Sequence, residues 1–189
     1  LKQKDYYVVG VDIKLPEFNP TDADKFLQLD LTDRGVYRQI FKDEFDEVYN
    51  LAAKMGGMGY ISTEHIASLH DSNLINTYLP VFCVKQKKMP KVFFSSSACV
   101  YPIHKQNTLD KNIMREEDSY PANPNEAYGW EKLMAEMRYK AYAEKYGLKI
   151  AIARFENCYG PRGTYQGGRE KAPAAICRKV AQARDGDQI

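Results

Sequence analysis

Lys91-Val92-Phe93-Phe94-Ser95-Ser96 is the clearest strand of the chain, and it opens into Ser97-Ala98-Cys99-Val100-Tyr101-Pro102. A short apolar run that switches abruptly to small polar residues reads as a buried strand meeting a surface loop. Four other runs repeat the form. They are Tyr6 to Val11 ending at Asp12, Lys25 to Leu29 ending at Asp30, Glu47 to Ala52 opening into Met55-Gly56-Gly57-Met58-Gly59, and Leu148 to Arg154. Helical stretches lie between them. Thr32 or Asp33 caps one that runs to about Lys42, with Val36, Ile40 and Phe41 inward. A longer one spans roughly Ser62 to Gln86, disturbed at Pro80. Another runs from about Asn125 to Tyr146 and stops at Gly147, and Pro173 suits the first turn of one over Ala172 to Ala183. A long irregular segment, Tyr101 to Asn125, separates the fourth strand from the helix that follows. This alternation predicts an α/β fold, a doubly wound parallel sheet with helices on both faces. Ligands of such sheets bind beyond the carboxyl ends of the strands, so the candidate residues are those just after each strand.

Composition narrows the partners. With 189 residues, 44% of them apolar and 28% charged, the chain fits one globular domain or part of a larger one. No apolar run approaches the ~18 residues that cross a bilayer, so no membrane partner is expected. The net charge of +2 is too small and too evenly spread to point to nucleic acid. Cys83, Cys99, Cys158 and Cys177 show no CxxC spacing and read as free thiols of a reducing compartment. The opening Leu1-Lys2-Gln3-Lys4-Asp5 has no secretory character, and a cytoplasmic location is expected. His65, His70 and His104 are scattered and imply no metal. The chain starts almost directly in a strand-like run without Met, and the expectation is that its natural N-terminus is missing.

Several residues carry chemistry. Tyr128 and Lys132 are four apart, on one helical face. An ammonium beside a phenol lowers its pKa from about 10, and such a Tyr can take an alcohol proton as hydride leaves the same carbon for a nicotinamide. Read blandly, they are a surface pair in a helix rich in Tyr and Lys. The hydroxyl of Ser97 could hold the reacting oxygen beside Tyr128, or Ser97 could merely end its strand. Cys99 is an acid/base candidate or a small buried hydrophobe. Asp12, at a strand end, suits the two hydroxyls of an adenosine ribose, or a turn. Asp30 ends the next strand and joins Asp12 as a cofactor-binding candidate. The glycine-rich phosphate loop that normally precedes such an Asp by about 20 residues would fall before Leu1. Gly167-Gly168-Arg169-Glu170-Lys171-Ala172-Pro173 allows close backbone approach to a ligand. Lys171 and Lys179 could meet phosphate or sugar hydroxyls, or form a solvated basic face. Asn157 could bind a ligand or start a turn.

Taken in order, five segments make the chain resemble the extended short-chain dehydrogenase/reductase family of nucleotide-sugar epimerases and dehydratases. They are Asn50-Leu51-Ala52-Ala53 with Met55 to Gly59, Ser95 to Pro102, Tyr128 to Lys132, Asn157-Cys158-Tyr159-Gly160-Pro161, and Gly167 to Ala175. The resemblance is strongest to members that invert C3 and C5 of a GDP-sugar. It implies a Rossmann-like NAD-binding domain over 1–160, lacking its first strand and glycine loop, and the start of a substrate-binding region over 161–189. It implies NAD as cofactor, a GDP-sugar as substrate and a homodimer packed through the stretches 62–86 and 125–146. It implies transient oxidation at C4 by Tyr128, Lys132 and Ser97, with Cys99 and Lys171 as the acid/base pair at C3 and C5. NAD falls to Asp12, Asp30, Tyr128 and Lys132. The sugar nucleotide falls to Gly57, Ser97, Ala98, Cys99, Asn157, Glu170, Lys171, Ala172 and Lys179. Most of the family's C-terminal part is absent, and Lys54 stands where plant members usually carry Asp. The alternatives are a 4-epimerase, 4,6-dehydratase or reductase of the same family, or a dinucleotide-binding protein without turnover.

Overall fold

A computed structural model describes residues 1–106 and 114–188. The part of the expected irregular segment that falls on 107–113 lies outside the described residues. Among the described residues five strands form, all paired in parallel. β1 (Val9–Asp12) pairs with β2 (Lys25–Gln28), and β3 (Glu47–Asn50), β4 (Lys91–Ser97) and β5 (Ile150–Phe155) make a second ladder in the order β3-β4-β5. Asn50 stands opposite Phe94, and Ser97 opposite Phe155, so the carboxyl ends of β3, β4 and β5 lie along one edge.

The central strand alternates as its sequence requires. Val92, Phe94 and Ser96 are buried, whereas Phe93, Ser95 and Ser97 are only partly so. The buried face packs against α3 (Asn73–Cys83) and α5 (Ala127–Tyr146). Leu79 and Cys83 come from α3, and Ala135 and Tyr139 from α5. The Tyr139 ring lies 4.9 Å from that of Phe94. Each such large apolar side chain contributes roughly 1.5–3 kcal/mol on burial, which fixes both helices over β4. On the opposite face Tyr49, Phe93 and Phe155 form a row with ring separations of 5.8 and 6.2 Å.

Two helical expectations are trimmed. The stretch 62–86 is a continuous helical run from His65 to Cys83, which follows a single turn, α2 (Met58–Ile61), and passes through a π-helical segment at Ala67–Ser72 directly into α3. Pro80 sits buried inside α3, and the helix continues to Cys83 because the packing of Leu79 and Cys83 holds it. The stretch 33–42 is shorter too. Asp33 caps it, its carboxylate accepting from the Gly35 amide at 2.7 Å. Only a 3-10 turn at Arg34–Val36 and one turn of α1 (Tyr37–Ile40) follow. Its most buried residue is Tyr37, whose hydroxyl lies 3.1 Å from the Leu31 carbonyl and 3.3 Å from that of Ile75. A short helix, α4 (Ile103–Gln106), starts the long segment after β4, and α6 (Ala172–Gln182) begins after Lys171.

Candidate active site

The serine-rich end of β4 and the first turns of α5 meet. Ser97 ends β4, and its hydroxyl accepts from the Cys99 amide at 3.2 Å, capping a 3-10 turn over Ala98–Val100. That turn holds Cys99 half-buried at the strand's carboxyl end, and Ala98 packs against Val100, Tyr101 and Leu133. Tyr128, in the first turn of α5, is buried, and the Ser97 side chain draws its phenol pKa downward while Cys99 pushes it up. Ser97, Cys99 and Tyr128 therefore lie near one another at the carboxyl end of β4.

Their approach depends on a residue that sequence reasoning passed over. A Cβ on Gly129 would stand 2.2 Å from the Cys99 carbonyl oxygen and 2.9 Å from Pro124. Only glycine lets α5 press its first turn onto the Cys99 turn. Gly129→Ala should push the two apart, destabilising by about 1–3 kcal/mol through overpacking and moving Tyr128 off Ser97. A lowered melting temperature together with lost turnover checks this.

Lys132 is buried and donates to the Ser95 carbonyl at 2.8 Å. Its ammonium lies 4.8 Å from the Phe94 ring centre and 5.7 Å from that of Tyr128. Burial pulls its pKa down, and the Glu131 carboxylate opposes that. For Tyr128 the expected lowering is overturned. Burial pushes the phenol up to about 12, the Cys99 and Glu131 charges push the same way, and only the Ser97 hydrogen bond opposes them. Desolvation outweighs Lys132 here because the ammonium is spent on Ser95 and on the ring faces rather than on the phenolic oxygen. One turn further along α5, Glu136 receives a two-pronged contact from Arg154 at 2.8 and 2.9 Å and the Ser96 hydroxyl at 2.5 Å. This ties the ends of β4 and β5 to the same helix.

A second group forms around the glycine-rich loops. The Gly57 amide donates to the Arg169 carbonyl at 2.9 Å, and a Cβ on Gly57 would stand 2.3 Å from the Glu170 carbonyl oxygen. The Met55–Gly59 cluster is thus the seat on which the 167–173 segment rests. Arg169 also lies over the Tyr60 ring at 4.5 Å. Glu170 pairs with Arg178 at 3.4 Å, while its Oε2 is buried without a partner among the described residues. Lys171 immediately precedes Ala172, the first residue of α6. It lines a cavity of about 380 Å³ with Asp12, Lys54, Met55, Cys158 and Arg169. Ser97, Cys99, Tyr128 and Lys132 are not part of that lining. Asn157 is exposed just after β5. Lys179 sits on a shallow groove with Gln182, Ala183 and Asp187, apart from the cavity that Lys171 lines.

Asp12 ends β1, and Asp30 lies two residues beyond the end of its partner β2. The Asp12 Oδ1 accepts from the Lys14 amide at 3.0 Å. The Asp30 Oδ1 accepts from the Thr32 amide at 2.9 Å and the Thr32 hydroxyl at 2.8 Å, and those bonds hold its carboxyl below the usual range. Each carboxylate shapes its turn, and both border a cavity of about 150 Å³ with Leu31, Ala52, Lys54 and Ile75. Acceptors beside an apolar shelf fit the adenosine half of a dinucleotide.

Parallel strands with their polar ends gathered beside a Tyr/Lys helix frame this site, and the chain belongs to the NAD dependent epimerase/dehydratase family, whose pattern matches residues 1–189. It is 39% identical over 189 residues to GDP-mannose 3,5-epimerase of Arabidopsis thaliana, covering 98% of this chain and 49% of that protein. It is 38% identical over 188 residues to GDP-mannose 3,5-epimerase 1 of Oryza sativa subsp. indica, with the same coverages. The chain thus spans about half the length of the curated relatives it matches. GDP-L-fucose synthase of Dictyostelium discoideum is more distant, at 27% over 137 residues, covering 72% of this chain and 42% of that protein. Among solved structures, Pal from Bacillus thuringiensis superposes with a TM-score of 0.79 at 22% identity, covering 99% of this chain and 61% of that one. A Thermus thermophilus UDP-glucose 4-epimerase complexed with NAD gives 0.74 at 22%, covering 94% and 54%. Both likenesses concern the fold. Among the described residues no helix is long and apolar enough to cross a membrane.

Proposed function

We propose that the chain is the NAD-binding portion of a GDP-mannose 3,5-epimerase. On this reading residues 1–160 hold the dinucleotide and 161–189 begin the region that grips the sugar nucleotide. The observation that carries it is the half-buried thiol of Cys99 in the turn just past Ser97, beside Tyr128 of α5. Oxidising and re-reducing C4 needs only a Tyr/Lys pair and a hydroxyl, so a thiol beside them asks for a further proton transfer. The likeness to the two plant GDP-mannose 3,5-epimerases supports the same reading.

NAD, when bound, supplies the chemistry of accepting a hydride from C4 of the sugar and returning it. The chain's own residues do the rest. Asp12 and Asp30 hold the adenosine end, and Lys132 and Tyr128 border the nicotinamide end. Tyr128 removes the C4 hydroxyl proton while Ser97 holds that oxygen. The C4 ketone acidifies the hydrogens on C3 and C5. Cys99 and Lys171 then act from opposite sides of the ring, one removing a proton and the other returning one. Gly57, Ala98, Asn157, Glu170, Ala172 and Lys179 line the sugar nucleotide, and the unpartnered Glu170 Oε2 is an acceptor for a substrate hydroxyl. The products are GDP-L-galactose, inverted at C3 and C5, and GDP-L-gulose, inverted at C5. The holoenzyme incubated with GDP-mannose in heavy water should yield both, with deuterium at the inverted carbons. Turnover without deuterium at C3 or C5 would leave a plain 4-epimerase or reductase.

The reading extends to a cytoplasmic homodimer. Trp130, Met134 and Met137 form an exposed i, i+4, i+7 stripe on α5, and Ile66 and Leu69 are exposed on the turns before α3. Apolar stripes on two neighbouring helices suit a four-helix interface between copies. Met137→Glu should convert the dimer to monomer in sedimentation, with the melting profile of the monomer retained; an unchanged dimer would place the interface elsewhere.

A further inference from the structure

Four buried polar side chains form a circuit whose two ends lie side by side on α5. The Lys132 ammonium donates to the Ser95 carbonyl at 2.8 Å, and the Ser95 hydroxyl donates to the Asn50 carbonyl at 3.0 Å. The Asn50 amide donates to Asn76 Oδ1 at 2.8 Å, and the Asn76 amide donates to Glu131 Oε1 at 2.7 Å. Glu131 is the residue directly before Lys132. Asn50, Asn76, Glu131 and Lys132 are all buried, at 4%, 0%, 0% and 1% exposure. The circuit joins β3, β4, α3 and α5, and the second Glu131 oxygen has no partner among the described residues. It enters none of the proton transfers described above.

We propose that Glu131 is a positioning residue for Lys132, a buried counter-charge that keeps the neighbouring ammonium protonated and, through Asn76 and Asn50, fixes the strand end on which it is anchored. The proposal rests on the epimerase reading for its place in catalysis, but the hydrogen-bond circuit and the burial of both charged groups do not depend on that reading. A buried ammonium without a carboxylate loses its proton readily, because its desolvation is uncompensated. No carboxylate forms a salt bridge with Lys132 among the described residues, since Glu136 is committed to Arg154. The groups facing the pair can be named by element. α5 contributes Tyr128 and Arg138, the turn after β4 contributes Cys99, and α3 and β3 contribute only the uncharged amides of Asn76 and Asn50. Arg138 is held by Asn73 at 2.9 Å. Among the described residues Glu131 is the anion whose influence on Lys132 is resolved, and it favours the charged amine. Burial pushes the Glu131 carboxyl up in turn, and Lys132, the Asn76 hydrogen bond and Arg138 hold it toward the charged form.

The test is direct titration of Lys132 by NMR of its side-chain carbon and nitrogen in the holoenzyme, assigned by loss of the signal in Lys132→Met. Glu131→Gln keeps the shape and the acceptor for Asn76 but removes the charge. The Lys132 midpoint should fall by on the order of one pH unit. The alkaline limb of the rate of bound-NAD reduction should move to lower pH with it. Glu131→Asp, which keeps the charge, should restore the wild-type midpoint even if its rate is lower. Should Glu131→Gln not fold, Asn76→Ala strips the carboxylate of its donor and must move the midpoint the same way. An unmoved midpoint in either folded variant overturns the proposal, whatever the substrate proves to be. A shifted midpoint in a protein inert toward GDP-mannose would sink the epimerase reading and leave the charge relation standing.

Discussion

Tyr128→Phe is expected to abolish reduction of enzyme-bound NAD on adding GDP-mannose, with a rate loss on the order of 10²–10⁴-fold, the scale of a lost general base. The ring would stay where it is, buried in the first turn of α5, so the only atom removed is the oxygen that meets Ser97. The stability cost is that of one exchanged hydrogen bond, about 1 kcal/mol. Melting temperature and NAD affinity should therefore barely change. The sign of the pH dependence follows from the environment. Burial holds the phenol neutral well above pH 7, at about 12 in the protein without cofactor. A base held so far above neutrality is deprotonated in only a small fraction of molecules. Positive charge arriving near the oxygen must therefore lower that value for turnover at neutral pH, and a cationic nicotinamide has the required sign. The wild-type rate should climb as pH rises from 6 toward 9, and the climb should vanish in the Phe variant. A variant that still reduced bound NAD would move the base role elsewhere on the strand edge.

What the amino-acid order made legible is the part governed by local pattern. The five β-rich runs each became a strand in parallel pairing; the first, second, third and fifth lost one to three residues at an end, while the fourth gained Ser97 and the fifth Phe155. Ser97, Cys99, Tyr128 and Lys132 were legible too, because a strand end and an i, i+4 pair each fix direction before any packing is known. The parts that were not legible are set by tertiary burial. The Tyr128 pKa moves opposite to the local argument because its burial in the first turn of α5, beside Cys99, arises only when the fold closes. Gly129 looks like a helix-weakening glycine until the Cys99 carbonyl is seen 2.2 Å from where its Cβ would stand. Glu131 reads as a solvated residue in a charged helix, yet it is fully buried because Asn76 reaches it from another helix. Tyr37 likewise passes for a surface residue until Leu31 and Ile75 supply acceptors for its hydroxyl. The one signal that could have flagged Glu131 is its position, since a residue preceding an inward Lys132 in a helix packed on two sides has little room to turn outward.

Cys99→Ser separates the two halves of the proposed reaction. Ser is nearly isosteric with Cys, the Ser97 oxygen still receives the amide of residue 99, and the turn over Ala98–Val100 is kept. Tyr128 and Lys132 are untouched, so bound NAD should still be reduced on adding GDP-mannose. A hydroxyl is a far poorer proton carrier than a thiol near neutrality, because it is rarely ionised and gives up its proton reluctantly. Deuterium uptake from heavy water at C3 and C5 should therefore drop by about 10²-fold or more, the loss typical of an acid/base residue. The oxidised sugar would accumulate or return unchanged to GDP-mannose. Lys171 lies outside the Tyr128 group, on the loop that rests on Gly57, so its part in the exchange requires that segment to meet the sugar from the other side. Lys171→Met should consequently block inversion while leaving exchange by Cys99 measurable at one carbon. Full deuterium exchange in Cys99→Ser would strip the thiol of its role and return the site to simple oxidation and re-reduction at C4.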